Sequence, residues 1–149
     1  MIKVGEHITL DIVGTTKEYD PSVFEKVIYD IAKAANVAIL KISKYKFEPQ
    51  GFTILALLAE SHISFHTFPE KGIISFDFFT CGKINPSVAV KIIKKEFEHT
   101  RIVKKEFNRD TKSLYPDIYS SPGLQKSYVV NNVLAVSYTH LTLPTICSV

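Results

Sequence analysis

The chain has 149 residues, of which 46% are hydrophobic and 22% charged, and its formal net charge is +3. These values are ordinary for a globular protein with one domain and a real core. No apolar run approaches the roughly 20 residues that cross a membrane, and the first residues lack the apolar segment of a signal peptide. The lysines are scattered, as on solvated helix faces. We therefore expect a cytoplasmic protein that binds neither a membrane nor nucleic acid.

The pattern of apolar and turn residues predicts six strands and two helices. In chain order, these are a strand at 7–14, a helix at 20–36, strands at 37–47, 52–59, 62–68 and 73–80, a helix at 85–98 and a strand at 101–109. The segment at 52–59 is apolar on both faces, which favours a central strand. The order predicts an α+β domain, a two-layer sandwich in which two helices pack on one face of an antiparallel-rich sheet.

Both predicted helices begin with a capping residue followed by proline, Asp20-Pro21 and Asn85-Pro86. Each also carries an apolar stripe at helical spacing, which predicts the face that packs on the sheet. The stripe of the first helix contains Phe24, Val27, Ile28, Ile31 and Ala35, and that of the second contains Ala89, Ile92, Ile93 and Phe97.

The chain divides into three parts by composition. Residues 1–110 carry the predicted domain, and residues 111–135 are richer in polar and turn residues, so we interpret them as a linker or the start of an incomplete further segment. Residues 136–149 contain "VSYTHLTLPT", which resembles the translation of a sequencing-library adapter. We interpret this tail as adapter read-through and leave it out of the fold.

One predicted strand is unusually polar. In "LAESHISFHTFPEKG" (58–72), His62, Ser64 and His66 share one parity and would line one face of a regular strand. Two histidines could bind a metal ion, but zinc requires three or four ligands and no third one is obvious nearby. A serine hydrolase would have glycines around its serine, and "AESHI" has none. We predict no metal site, and we assign no role to His62 or Ser64.

The pair Glu60-Ser61 allows a different chemistry. A serine hydroxyl can attack the carbonyl carbon of the preceding residue and convert the amide into an ester, provided that the bond is strained and the oxyanion is stabilised. If a base then removes the serine Hα, the ester leaves by elimination, and the resulting dehydroalanine hydrolyses to a pyruvoyl group. Such a ketone is an electron sink comparable to pyridoxal phosphate.

These residues belong to a long motif. "ESHISFHTFPEKGIISFDFFTCG" (60–82), with "PQGFT" (49–53) and "GEH" (5–7), resembles the prokaryotic S-adenosylmethionine decarboxylase family over roughly residues 3–110. The resemblance implies a self-processing zymogen that decarboxylates S-adenosylmethionine. Its product is the aminopropyl donor for spermidine, so the enzyme would serve polyamine biosynthesis.

The resemblance also implies the processing residues. Cleavage would fall between Glu60 and Ser61, and Ser61 would become the pyruvoyl group that forms a Schiff base with the substrate. His66 would abstract the Hα. Thr53 stands where the family usually has a serine that stabilises the intermediate; it keeps the hydroxyl, although its methyl group restricts the rotamer. Cys81 would assist processing.

The resemblance further implies the substrate contacts. Cys81 would return a proton to the substrate Cα, and Glu70 would bind the ribose hydroxyls. Phe47 and Phe68 would offer aromatic faces to the adenine and the sulfonium, although the family often has tryptophan or tyrosine in place of Phe68. The implied assembly is a homodimer of processed protomers with sites near the subunit interface.

Two other functions stay open from the sequence. Relatives with the same self-processing motif decarboxylate arginine or ornithine, and an unprocessed paralogue would not be an enzyme at all. Strand parity also raises a difficulty, because Ser61 and His66 would point to opposite faces of a regular strand. Either the backbone bends at Ser61, or the partner histidine comes from another strand or another subunit.

Overall fold

The computed structural model describes residues 3–81 and 84–110, which form six strands, two α-helices and one short 3₁₀ turn. Their bounds are β1 Lys3–Val13, α1 Pro21–Ala35, β2 Ile39–Lys46, β3 Phe52–Leu58, β4 Ser61–Phe68, the 3₁₀ turn Pro69–Lys71, β5 Ile73–Cys81, α2 Val88–Glu96 and β6 Arg101–Asp110. The predictions for residues 111–135 and 136–149 lie outside the described residues. Within the described ranges, no helix is long and apolar enough to cross a membrane.

The six strands form a single sheet in the order β2-β3-β4-β5-β1-β6, and every neighbouring pair is antiparallel. Both helices contribute to one core with one face of this sheet. The predicted α+β sandwich is therefore confirmed. The hairpins between β2, β3, β4 and β5 bring sequence neighbours side by side, whereas β1 lies between β5 and β6 and pairs with both.

Helix α1 follows the capping prediction. The Asp20 side chain accepts a hydrogen bond of 2.9 Å from the backbone N–H of Ser22, and Pro21 is the first helical residue. The hydrogen bonds from Ser22 lower the pKa of the Asp20 carboxyl, because they stabilise its charged form. The helix ends at Asn36, which adopts a left-handed backbone. Its buried residues are Phe24, Val27, Ile28, Ile31 and Ala32; the predicted Ala35 is only partly buried.

Helix α2 begins later than predicted. The Asn85 side chain accepts a hydrogen bond of 2.9 Å from the N–H of Ser87, but this closes a turn before the helix, which starts at Val88. An asparagine can hydrogen-bond its own backbone two residues on without starting a helix. Ala89, Ile93 and Phe97 are buried as expected, while Ile92 is only partly buried.

The two faces of the sheet differ, because both helices cover only one of them. The helix face is closed by fully buried side chains, which include Leu10, Ile54, Ile63, Phe65, Phe76 and Phe78. The other face, here called the open face, leaves Leu55 48% and Leu57 53% exposed. Strand β3 thus lies inside the sheet, between β2 and β4, but it is not buried on both faces within one chain.

Candidate active site

The turn between β3 and β4 holds a strained residue. Leu58 pairs with Ser61, so Ala59 and Glu60 form a two-residue connection between the strands. The φ angle of Glu60 is +62°, in the left-handed region. A side chain with a Cβ atom adopts this region at a cost of about 1–2 kcal/mol, because the Cβ approaches the carbonyl oxygen. The peptide bond that the sequence marks for cleavage is therefore preceded by a strained backbone.

Ser61 is the first residue of β4 and points toward the helix face. It is 6% exposed, and its Oγ is buried without a hydrogen-bond partner among the described residues. A buried hydroxyl without a partner costs about 1–3 kcal/mol. Such groups are rare in folded proteins, and each calls for an explanation, of which a reactive role is one.

Thr53 and His66 form a pair on the open face. They lie directly opposite each other on β3 and β4, and Thr53 Oγ1 is 2.9 Å from His66 Nδ1. A hydrogen bond at one ring nitrogen fixes the orientation of the imidazole and leaves Nε2 free for another contact. The sequence predicts a role in processing for both residues, and the structure places their side chains in contact.

The structure does not bring Ser61 and His66 together within one chain. Both belong to the uninterrupted strand β4, five residues apart, which corresponds to about 17 Å along the strand. They also project from opposite faces, since Ser61 is buried toward the helices and His66 is exposed with Thr53. The strained turn lies before Ser61 and does not redirect the strand. The geometry excludes a direct contact between Ser61 and His66 of the same chain.

Cys81 lies at the same end of the sheet as Ser61. It is the last residue of β5, two positions beyond Phe79, which pairs with His62. Its thiol is free and partly buried. We call Glu60, Ser61 and Cys81 the serine end, and Phe47, Thr53, His66, Phe68 and Glu70 the histidine end. The predicted site residues thus fall into two groups at opposite ends of β4.

The residues predicted to bind the substrate lie at the histidine end. Phe47 is 46% and Phe68 38% exposed, which leaves their aromatic rings accessible. Glu70 lies on the 3₁₀ turn, where its carboxylate accepts a hydrogen bond of 3.3 Å from the Gln50 side chain. Aromatic faces beside a carboxylate can bind a flat base and a hydroxylated sugar.

Sequence reasoning missed a cluster of rings and charges on the open face. His7 Nε2 is 3.6 Å from an Asp77 carboxylate oxygen, and the His7 ring lies 6.3 Å from that of His62 and 6.0 Å from that of Phe79. The signal was present, because polar residues alternate along "GEHITLD" and "ISFDF". The pairing of β1 with β5, which joins the two segments, is not visible in the sequence.

A cavity of about 340 Å³ lies on the helix face at the histidine end. Its lining includes Lys17, Asp20, Phe24 and Lys46, but none of the predicted catalytic or substrate-binding residues. Within the described ranges, no three His, Cys, Asp or Glu side chains are grouped so that they could hold a metal ion. The cavity on the helix face therefore does not contain the predicted site residues.

The pKa of His62 is expected to lie below that of an ordinary imidazole. Partial burial lowers it most, His7 and Arg109 lower it further by repulsion, and Asp77 raises it. His7→Gln should therefore raise the His62 pKa and Asp77→Asn should lower it further, both measured by NMR titration of the imidazole protons. Because the unfolded chain would bind more protons than the folded one, His62 makes folding less favourable as the pH falls through about 6.5. A lower His62 pKa in His7→Gln, or a higher one in Asp77→Asn, would contradict this account.

The family model described as S-adenosylmethionine decarboxylase matches residues 6–110. An S-adenosylmethionine decarboxylase proenzyme from Parasynechococcus marenigrum is 37% identical over 80% of this chain and 95% of its own length, and one from Methanococcus vannielii is 42% identical over 56% and 70%. The crystal structure of the adenosylmethionine decarboxylase from Aquifex aeolicus superposes with a TM-score of 0.65, at 31% identity, over 73% of this chain and 92% of that one. This chain belongs to the S-adenosylmethionine decarboxylase family.

Proposed function

We propose that this chain is the precursor of a pyruvoyl-dependent S-adenosylmethionine decarboxylase that cleaves itself between Glu60 and Ser61. Relatives named as proenzymes of this decarboxylase support both the reaction and the self-processing. The observation that carries the proposal is the buried, unpartnered Ser61 hydroxyl directly after a residue with a left-handed backbone.

Processing begins with attack of Ser61 Oγ on the carbonyl carbon of Glu60, which converts the amide into an ester. The hydroxyl is free for this attack because no described group holds it in a hydrogen bond. Release of the strained Glu60 backbone favours the reaction. A base then removes the Ser61 Hα, the Glu60 carboxylate leaves, and hydrolysis of the remaining imine releases ammonia and leaves the pyruvoyl group.

The base is His66 from a second copy of the chain. Within one copy, His66 lies about five strand residues from Ser61 and on the opposite face. The open face also exposes large apolar side chains, which favours a second protein surface over it. They include Tyr45 at 66%, Leu55 at 48%, Leu57 at 53% and Phe107 at 43% exposure. A homodimer joined through the open faces would cover them.

A two-fold axis brings the two ends together. If the axis lies between two stacked open faces and runs across the strands, it reverses the direction of every strand. The serine end of one copy then lies over the histidine end of the other, and β4 lies over β4. The Glu60–Ser61 backbone, which carries the Hα to be removed, and Cys81 of one chain would meet Thr53, His66 and Glu70 of its partner. A single dimer would contain two such sites.

Each chain contributes a different part of the chemistry. The Thr53 hydroxyl hydrogen-bonds His66 Nδ1, so it orients the imidazole and can stabilise the oxyanion that forms at Glu60. After maturation, the pyruvoyl group supplies an electron sink for the loss of CO2. Cys81 is the free thiol that returns a proton to the substrate Cα. Phe47, Phe68 and Glu70 hold the adenosyl part of the substrate.

Self-cleavage tests the role of Ser61. Denaturing mass spectrometry of the purified wild-type chain should give two fragments, the second beginning with a pyruvoyl group in place of Ser61. Ser61→Ala should remain uncut because it has no nucleophile. Ser64→Ala is the matched control, since Ser64 lies on the same strand and is buried to the same 6%. An uncut wild-type chain would favour an unprocessed paralogue, and cleavage of Ser61→Ala would show that Ser61 is not the nucleophile; either result would reject the proposal.

Co-expression tests whether the site is shared between two copies. Neither Ser61→Ala nor His66→Ala should cleave alone. In a mixed dimer, one site combines Ser61 of the His66→Ala chain with His66 of the Ser61→Ala chain and is intact. The His66→Ala chain should then be the one that is cut, as identified by its mass. If neither chain is cut although mixed dimers form, His66 does not act across the interface.

Substrate choice is tested by release of CO2. The mature protein should decarboxylate S-adenosylmethionine faster than arginine or ornithine, because exposed aromatic rings beside Glu70 suit a nucleoside. Phe47→Leu should raise the KM for S-adenosylmethionine about 2- to 30-fold, which corresponds to a cation–π contact of about 0.5–2 kcal/mol. Leu40→Ala is the control, since Leu40 is exposed on β2, the strand that Phe47 directly follows. Faster turnover of arginine or ornithine would replace the proposed substrate.

A further inference from the structure

Cys81 and Arg109 project from one row of the sheet, on either side of a glycine. Gly5 on β1 pairs with Cys81 on β5 and with Arg109 on β6. Residues paired directly across antiparallel strands point to the same face. Both side chains therefore belong to the open face, and β1 places no side chain of its own between them because Gly5 has none.

The missing side chain at Gly5 is a requirement of the packing. A Cβ atom at this position would lie 2.4 Å from the carbonyl oxygen of Thr80 and 2.9 Å from two ring atoms of Phe79. The Phe79 ring thus occupies the space above Gly5. The central carbon of the Arg109 guanidinium lies 4.9 Å from the centre of this ring, so Arg109 reaches back across β1 to β5. Its positive charge is held two residues from Cys81 along that strand.

Among the described residues, no carboxylate forms an ion pair with the Arg109 guanidinium. Its contact described above is with the aromatic ring of Phe79, which carries no charge. The edge of a guanidinium is a planar fork of donors that matches a carboxylate. In the proposed dimer the open face is covered, and covering an unpaired charge is costly. An anion is needed at this position.

We propose that Arg109 binds the α-carboxylate of the substrate beside Cys81. The inference rests on the proposed function, in which Cys81 protonates the substrate Cα. The carboxylate is bonded to that same carbon, so the group that binds it must lie close to Cys81. Arg109 meets this requirement because it and Cys81 both pair with Gly5, and because it contacts Phe79, two residues from Cys81. It orients the substrate so that CO2 leaves from the side of the thiol.

The test compares two ligands that differ only by the carboxylate, the substrate and its decarboxylated product. In Arg109→Met, the KM for S-adenosylmethionine should rise about tenfold to a hundredfold, while the inhibition constant of the product changes by less than about twofold. Arg109→Lys should raise the KM severalfold, because it keeps the charge but loses the fork. Arg101→Met is the matched control, since Arg101 lies on β6 with the same parity, eight residues away.

The outcomes separate this inference from the function on which it rests. If the wild-type chain does not cleave itself, both are rejected. If cleavage is normal and Arg109→Met weakens the binding of substrate and product equally, or changes the binding of neither, only the role of Arg109 is rejected. A cleaved Arg109→Met that elutes as a monomer in size-exclusion chromatography would show that Arg109 pairs with a partner chain, which also overturns the proposal. If circular dichroism shows that Arg109→Met does not fold, the same comparison of substrate and product is made with Arg109→Lys.

Discussion

The alternation of side chains along β4 governs what a single copy of this chain can do. Successive residues of a strand point to opposite faces, and the helices cover only one face of this sheet. Ser61 is therefore buried against the helices, while His66 stands on the open face beside Thr53. A change of rotamer cannot bridge the five strand residues that separate Ser61 from His66. The separation of nucleophile and base follows from the fold itself, and it makes a second copy a chemical requirement of the proposed reaction.

The turn at Glu60–Ser61 keeps an unfavourable conformation because strand pairing fixes the residues on both sides of it. Glu60 is left-handed and the Ser61 hydroxyl lacks a partner, two features that each cost about 1–3 kcal/mol. Both persist because the flanking residues are fixed by register, with Leu58 paired to Ser61 and Leu57 to His62. Buried side chains such as Ile63 and Phe65 anchor the same strand to the core. Stability elsewhere in the domain thus maintains an unfavourable local geometry at the bond that we propose is cut.

The sequence predicted the elements well where local chemistry decides. Asp20 and Pro21 start α1 as expected, because a cap and a fixed φ act within one turn. The start of α2 was wrong, since Asn85 can satisfy its neighbours in a turn as readily as in a helix. The interior position of the strand at 52–59 was confirmed, but apolar residues such as Leu57 do not reveal whether a helix or another copy covers them.

The roles of the candidate site residues stay predictions, but part of their geometry was predictable. The motif predicts roles for Ser61, His66 and Thr53, and strand parity predicts that Ser61 and His66 do not meet within one chain, as the structure shows. The neighbours of Cys81 were not predictable, because Gly5 and Arg109 reach it through pairings that span most of the domain. Such long-range register depends on the packing of the whole sheet and leaves no local pattern in the sequence.

A shared site also links maturation to assembly. On the proposed geometry, an isolated chain holds a strained bond and a nucleophile but has no base in reach, so the second step of cleavage cannot proceed. Dimerisation supplies His66 and at the same time removes water from the open face, which strengthens every charge interaction there. The same event would cover Arg109, whose guanidinium then requires an anion, and the substrate carries one. Assembly would thus complete the processing site first and the substrate site afterwards, in the same place.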